Sequence, residues 1–320
     1  MEEFEGMAVE PVTQWQLFST RLRRHRLAMV SGVILLLIGL IALAAPLFTC
    51  PNNEPECGRL LPHPTDQLAE PDGRLATTIA PRGDYPFGTD EVGRDVLSRV
   101  VHGGRASLIV GVVTGLMVAI MGSIVGAFAG YYPGAIDQGL MRFTDLILGL
   151  PLLPVAIVVG RLLPELTFVP EFMTSGPWGI AILLGSLLWG GLARIVRAEF
   201  LSLREKEFVE AARAAGANDR RIIFRHILPN AMSPIIVQTT LIVGAAIIIE
   251  AALSFLGFGV RPPTPTWGGM AAAGAGIAPR GLWWELAFSA SALIITVLSV
   301  NFLGDGLRDA LDPTQTIERK

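Results

Sequence analysis

Lysine is nearly missing from this 320-residue chain. Only Lys206 and Lys320 occur, so arginine carries almost all the positive charge. Charge of either sign is scarce at 17% of residues, where a soluble domain carries about 25%. The formal net charge of −3 comes without a concentrated basic domain, which argues against a nucleic-acid partner. Nucleotide signatures are missing too: there is no G-x-x-x-x-G-K-[ST] run and no G-x-G-x-x-G between strand and helix. The clusters "GFGVRPP" and "GAGIAPR" sit at turn sites and are not phosphate cradles. His25, His63, His102 and His226 are scattered, and no G-x-S-x-G elbow occurs. Nothing here supports an enzyme. If such a chain moves a solute uphill, the energy comes from an ion gradient or from a separate ATPase.

Long apolar runs are abundant instead: 51% of residues are hydrophobic, and mean hydropathy is +0.53. Crossing roughly 30 Å of hydrocarbon takes about 20 mostly apolar residues. Six stretches qualify: 27–48, 104–130, 140–164, 178–198, 232–256 and 285–304. They are too long and continuous for barrel strands, so an all-α membrane protein with six transmembrane helices is expected. The third stretch contains Pro151 and Pro154 and should be kinked. The first lacks a small-residue cleavage site after it and reads as a retained span. Arginines crowd "RLRRHR" (21–26) and the 199–231 connection, whereas 49–103 holds more Asp and Glu than Arg. The positive-inside rule then places the N-terminal tail 1–26, the 199–231 loop and the tail 306–320 in the cytoplasm, with 49–103 outside. "VTQWQLFSTRLRRHR" reads either as a helix along the inner surface or as a frayed tail. Cys50 and Cys57, six residues apart in the outer loop, are either a disulfide pair or two free thiols.

One stretch interrupts the oil. In "EFVEAARAAGANDRRIIFRHILPNA" (207–231), the alanines favour a helix, and Gly216 suits its left-handed end. Asn218 and Asp219 offer N-cap oxygens to a second helix over 219–228, which Pro229 halts. The product is a helix-turn-helix with Ile222, Ile223 and Ile227 packed against the alanines and its arginines facing out. Interleaved carboxylates and a span on either side argue against a DNA reader. It is either an interfacial cap on the spans or a docking knob whose short tethers pass motion into them.

Ionisable residues inside spans usually face the bundle interior or water. Glu250 and Asp145 are such positions, as is the Arg161/Glu165 pair; Glu250 and Asp145 either line a translocation path or pair with each other or with Arg142, which lies three residues from Asp145 on the same helix face. "GFGVRPPTPTWGG" is too proline-rich for a span and is expected as a re-entrant or surface segment on the outer side. "TDEVGRDVLSRV" reads as an outer amphipathic helix with Val92, Val96, Leu97 and Val100 on one face. Near the end, Gly304 and Gly306 should break the last span, with Asp305 capping a short terminal helix.

Glu210-Ala211-Ala212, then Gly216, then Ile227-Leu228-Pro229 resemble the EAA loop of ABC importer permeases. "FGTDEVGRDVLSRVVHGGRASL" (87–108), "GYYPGAIDQGLMRFTDLILGLP" (130–151), "EAALSFLGFGVRPPTPTWGGM" (250–270) and "NFLGDGLRDALDP" (301–313) narrow the likeness. Together they resemble the C-type subunit of dipeptide, oligopeptide and nickel importers. The resemblance covers 80–313, leaving the 49–80 loop and the N-terminal tail outside. It implies the type I ABC importer permease fold, in a prokaryotic cell membrane. The 104–305 core would then hold five spans and the coupling loop. Glu210, Ala211, Ala212 and Gly216 would contact an ATP-binding subunit, with Arg213 and Arg220 as rim charges. The implied partners are a second, B-type permease subunit, two ATP-binding subunits that hold ATP and Mg, and an extracytoplasmic solute-binding protein. This chain would bind no cofactor and catalyse nothing itself. Peptides are the implied cargo, with nickel the alternative. A reading from another class, an ion-coupled secondary transporter, calls for inverted repeats and midplane ion ligands; no repeat is seen and only Glu250 is a candidate.

Overall fold

The computed structural model describes residues 14–51, 60–162, 165, 170 and 176–311. These residues form helices, with isolated bridges in place of strands. In chain order the helices are α1 (Gln14–Arg24), α2 (Arg26–Phe48), α3 (Val96–Tyr131), α4 (Ala135–Leu148), α5 (Leu152–Leu162), α6 (Gly176–Leu203), α7 (Glu207–Ala214), α8 (Asp219–Arg221, continued by a π-helical turn Ile222–Ile227), α9 (Met232–Phe255), α10 (Trp267–Ile277) and α11 (Trp284–Leu311). Five of them (α2, α3, α6, α9 and α11) are long and apolar enough to cross a membrane, and α4 with α5 makes a sixth, bent span.

That bend is 86°, sharper than a kink. Pro151 has no N–H to donate, and its ring clashes with a continuing helix. The ladder stops at Gly149 and Leu150, then restarts when Val155 N donates to Pro151 O at 3.1 Å.

Helix α3 organises the bundle. Its 36 residues reach about 54 Å at 1.5 Å each, well beyond the hydrocarbon thickness. Glycines notch its surface where three of its neighbours cross. A Cβ on Gly126 would lie 2.5 Å from Ala193 O and 2.7 Å from Val196 Cβ; one on Gly122 would lie 2.9 Å from Leu192 Cβ. These glycines, with Gly130 against Phe200, recur every fourth residue and receive α6. A second notch, Gly111 and Gly115, receives Ile247 and Val243 of α9. A third, Gly103 and Gly104, receives Trp267 of α10. Membrane helices lack a hydrophobic drive toward each other, so close approach of this kind supplies the packing energy.

The two ends of the bundle differ. At one, here the knob end, α7 and α8 project beside the ends of α3 and α6, and His25 Nε2 of the α1–α2 junction sits 3.6 Å from Asp309 Oδ2 of α11. The two ends of the described chain therefore share this side. At the loop end, residues 60–95 fold over the bundle. Phe87 stacks on Phe288 at 3.9 Å, and Trp284 Nε1 donates to Thr89 O at 2.9 Å.

Two expectations change. The amphipathic segment 89–100 is no separate helix: Asp95 caps Val96–Tyr131 by accepting from Ser98 N, and the helix runs straight into the membrane, leaving Val92 exposed. Burial pushes the Asp95 carboxyl up, and the Ser98 and Leu97 amides pull it back. Gly304 and Gly306 do not break the last span, because α11 is continuous to Leu311. They admit neighbours instead: Leu241 and Thr240 pack at Gly304, and Ala28 of α2 packs at Gly306. Residues 258–266 are irregular, and the chain after them tucks α10 between α9 and α11.

The α3–α6 contact should be the least tolerant of added volume. Gly126→Leu is expected to cost at least the roughly 1–3 kcal/mol of an overpacked core, read as a lower melting temperature in detergent. Gly139→Ala, where nothing lies within 4 Å of the new Cβ, should leave melting unchanged or raise it.

Candidate functional site

The knob is built by local rules. Helix α7 starts after Lys206 and ends at Ala215, where Gly216 takes φ +79. Ala217 N then donates to Ala212 O at 3.0 Å, tying the turn back to the helix. A Cβ on Gly216 would touch nothing within 4 Å; the demand for glycine is conformational. Asn218 Oδ1 accepts from Arg221 N at 2.9 Å and caps α8. Ile222, Ile223 and Ile227 are buried, but their cluster extends past Val209 and Ala212 into Leu192, Val196 and Phe200 of α6. The knob is therefore welded to the spans as well as to itself.

What the knob presents outward is specific. Glu210, Ala211, Arg213, Gly216 and Arg220 are exposed, and Ala212 is half-buried. Beside them stand Phe208 and Phe224, 40% and 55% exposed. Two exposed phenylalanines on a charged, glycine-ended helix pair are apolar surface of a kind enriched at protein interfaces.

Asp219 does not cap the second helix. Tyr131 Oη donates to its Oδ1 at 2.7 Å, and Tyr132 Oη to its Oδ2 at 3.1 Å. These tyrosines end α3, so one carboxylate fastens the knob's turn to the central helix. Burial, then the Asp219 carboxylate, pushes the Tyr132 phenol above its ordinary range. A second fastening lies nearby: Arg197 of α6 donates to both oxygens of Asp137 of α4, at 2.5 and 2.6 Å. Sequence reasoning missed both. Their partners are 60 to 88 residues apart, beyond the reach of local patterns.

The intramembrane ionisable positions part company. Asp145 pairs with Arg194 of α6 at 2.5 Å instead of Arg142, because α4 lies antiparallel against α6 and brings Arg194 across. Both partners are more than half exposed. Glu250 is fully buried near the loop end of α9, far from Asp145. Its Oε1 accepts from Ser254 Oγ at 2.7 Å and Thr266 Oγ1 at 2.9 Å, while Oε2 has no partner among the described residues. Arg161 and Glu165 are exposed at the far end of α5. Cys50 is disulfide-bonded; Cys57 lies outside the described residues.

Asp219→Ala should loosen the knob's turn without melting the bundle. Losing two hydrogen bonds to a charged acceptor costs about 1–3 kcal/mol locally. Amide exchange over 217–228 is expected to accelerate while 122–130 stays protected. Equal acceleration in both regions would mean that the clamp holds the whole fold and not the knob.

Comparison with known proteins adds the following. The family model described as "Binding-protein-dependent transport system inner membrane component" matches residues 122–317. A second, "N-terminal TM domain of oligopeptide transport permease C", matches 13–71, so the likeness extends into the tail and the 49–80 loop, which the sequence motifs had left outside it. The dipeptide transport system permease protein of Bacillus subtilis (strain 168) is 40% identical, over 92% of this chain and 83% of its own. The oligopeptide transport system permease protein of Escherichia coli (strain K12) is 39% identical, over 98% and 96%. A solved inward-facing MetNI methionine ABC transporter superposes with a TM-score of 0.54 at 17% identity, covering 67% of this chain and 96% of that one.

Proposed function

This chain belongs to the family of binding-protein-dependent transport system inner membrane components, and we propose that its knob is the coupling element through which separate ATP-binding subunits drive peptide import. The chain is a permease subunit of an ABC peptide importer, built on the type I permease fold. Family membership removes the ion-coupled alternative. The observation that carries the coupling role is the exposure of Glu210, Ala211, Phe208 and Phe224 on an element fastened to α3 through Asp219.

Several finer statements belong to the proposal. The knob end is cytoplasmic, in line with the arginines of 21–26 and 199–231, and the loop end faces outward. Two ATP-binding subunits hold ATP and Mg, and one of them seats α7. Small alanines let that helix sit deep, Glu210 accepts a charge-assisted bond, and Arg213 and Arg220 face rim carboxylates. A second, B-type permease subunit completes the path, and an extracytoplasmic binding protein delivers peptide at the loop end. When ATP draws the ATPases together, the knobs approach. Tyr131 and Tyr132 pass that displacement to α3, which carries α6 and α9 in its notches, and access alternates between the two sides.

Asp145 and Arg194 fit a place on the path. A charged pair more than half exposed within spans is costly against lipid, so this face turns toward water or toward the second permease subunit.

Two outcomes test these assignments. Gly216→Val, which forces a β-branched residue into φ +79, and Glu210→Lys should each abolish uptake of a radiolabelled peptide in vesicles while membrane insertion is retained. Normal uptake with either change removes the coupling role. For the path, Asp145→Cys should react with a water-soluble maleimide while Leu36→Cys, on the exposed flank of α2, should not. Equal reactivity contradicts the assignment.

A further inference from the structure

A cavity of about 380 Å³ opens at the loop end, between the α9–α10 connection and the start of α3. Its wall carries three guanidinium groups, Arg94, Arg99 and Arg261, and no carboxylate. The one carboxylate paired with two of them is Asp90, which lies outside the lining. Its Oδ2 already accepts from Arg94 Nε and Arg99 Nη1, both at 2.7 Å. Its Oδ1 already accepts from the Val92 and Arg94 amides, both at 2.9 Å. Asp90 has no capacity left. The Arg99 side chain is 9% exposed, yet its Nε has no partner among the described residues. Arg261 makes no ion pair among the described residues and is exposed at the rim. Two further carboxylates stand nearby without entering the wall. Glu285, on the first turn of α11, is buried near Arg99. Glu250 lies beneath Ser254 and Thr266, which do line the cavity and donate to its Oε1.

We propose that this cavity receives a carboxylate, the C-terminal carboxylate of the peptide in transit, an inference that rests on the peptide cargo above. A guanidinium fork matches a carboxylate in plane and charge. Arg261 has no ion-pair partner among the described residues, so its guanidinium stands at the rim with donors to offer an arriving carboxylate. The rest of the wall is proline, glycine, small apolar side chains and Met270, with the hydroxyls of Ser254, Thr264 and Thr266, and it holds no further charged group. Such a wall reads the end of a peptide and ignores its side chains. Glu250 accepts from the Ser254 and Thr266 hydroxyls and so ties the end of α9 to the start of α10 beneath the cavity.

The test uses the complete importer reconstituted in liposomes with one unchanged binding protein, so that any altered preference comes from this chain. Uptake of trialanine is compared with uptake of its C-terminal amide. Arg261→Gln, at an exposed irregular position, is expected to lower trialanine uptake about tenfold and to leave the amide unchanged; Arg261→Lys should keep most of the wild-type preference. An acid-to-amide ratio unchanged in Arg261→Gln overturns the proposal. An equal fall for both peptides also overturns it, and points to an acidic side chain of the docking protein as the occupant. Import of neither peptide by the wild type would overturn the peptide cargo itself.

Discussion

Three neighbours of α3 approach it where glycine leaves room for them. Seven glycines on that one helix remove the Cβ where α6, α9 and α10 cross it, and in a membrane close contact is the main source of cohesion. The remaining spans are arranged by what these notches admit. Helices α9 and α11 meet at Gly244 and Gly304, and α2 reaches the bundle where Gly306 leaves room for Ala28. Even the loop end depends on α3, because the indole of Trp267 lies over Gly103 and Gly104 and donates from Nε1 to Val100 O.

The same helix also carries the connection between the knob and the rest of the chain. Its last residue and the one after it hold Asp219, and its last glycine seats Phe200, which belongs to the cluster under the knob. Motion applied to the knob therefore meets a rigid lever and not a flexible tether. At the opposite end of that lever, Arg99 contributes to the guanidinium-lined cavity. The knob and the guanidinium-lined cavity are thus joined by one helix about 54 Å long at the standard rise.

Features set by neighbouring residues were legible in the sequence. Gly216 ends α7 in the left-handed region, Asn218 caps α8, and Pro151 marks the break between α4 and α5. Each follows from backbone geometry within a few positions. Features set by packing were not. Asp219 looked like a cap because its tyrosine partners lie 87 and 88 residues earlier. Gly304 and Gly306 looked like breakers because nothing local announces Leu241 or Ala28 beside them. Asp145 looked like a partner for Arg142 until α6 supplied Arg194. The EAA motif was legible for a different reason: its glutamate, alanines and glycine serve one compact element, so the whole pattern lies within a single loop.

The claim on which the account turns is that the knob and α3 move as one body. The direct measurement is the distance between spin labels at Arg220, on the knob, and Arg105, an exposed position near the start of α3, in the reconstituted importer with and without ATP. One distance, unchanged by nucleotide, is predicted. A shift on the order of one helical turn, about 5 Å, would mean that the knob moves independently of α3 and would contradict the account.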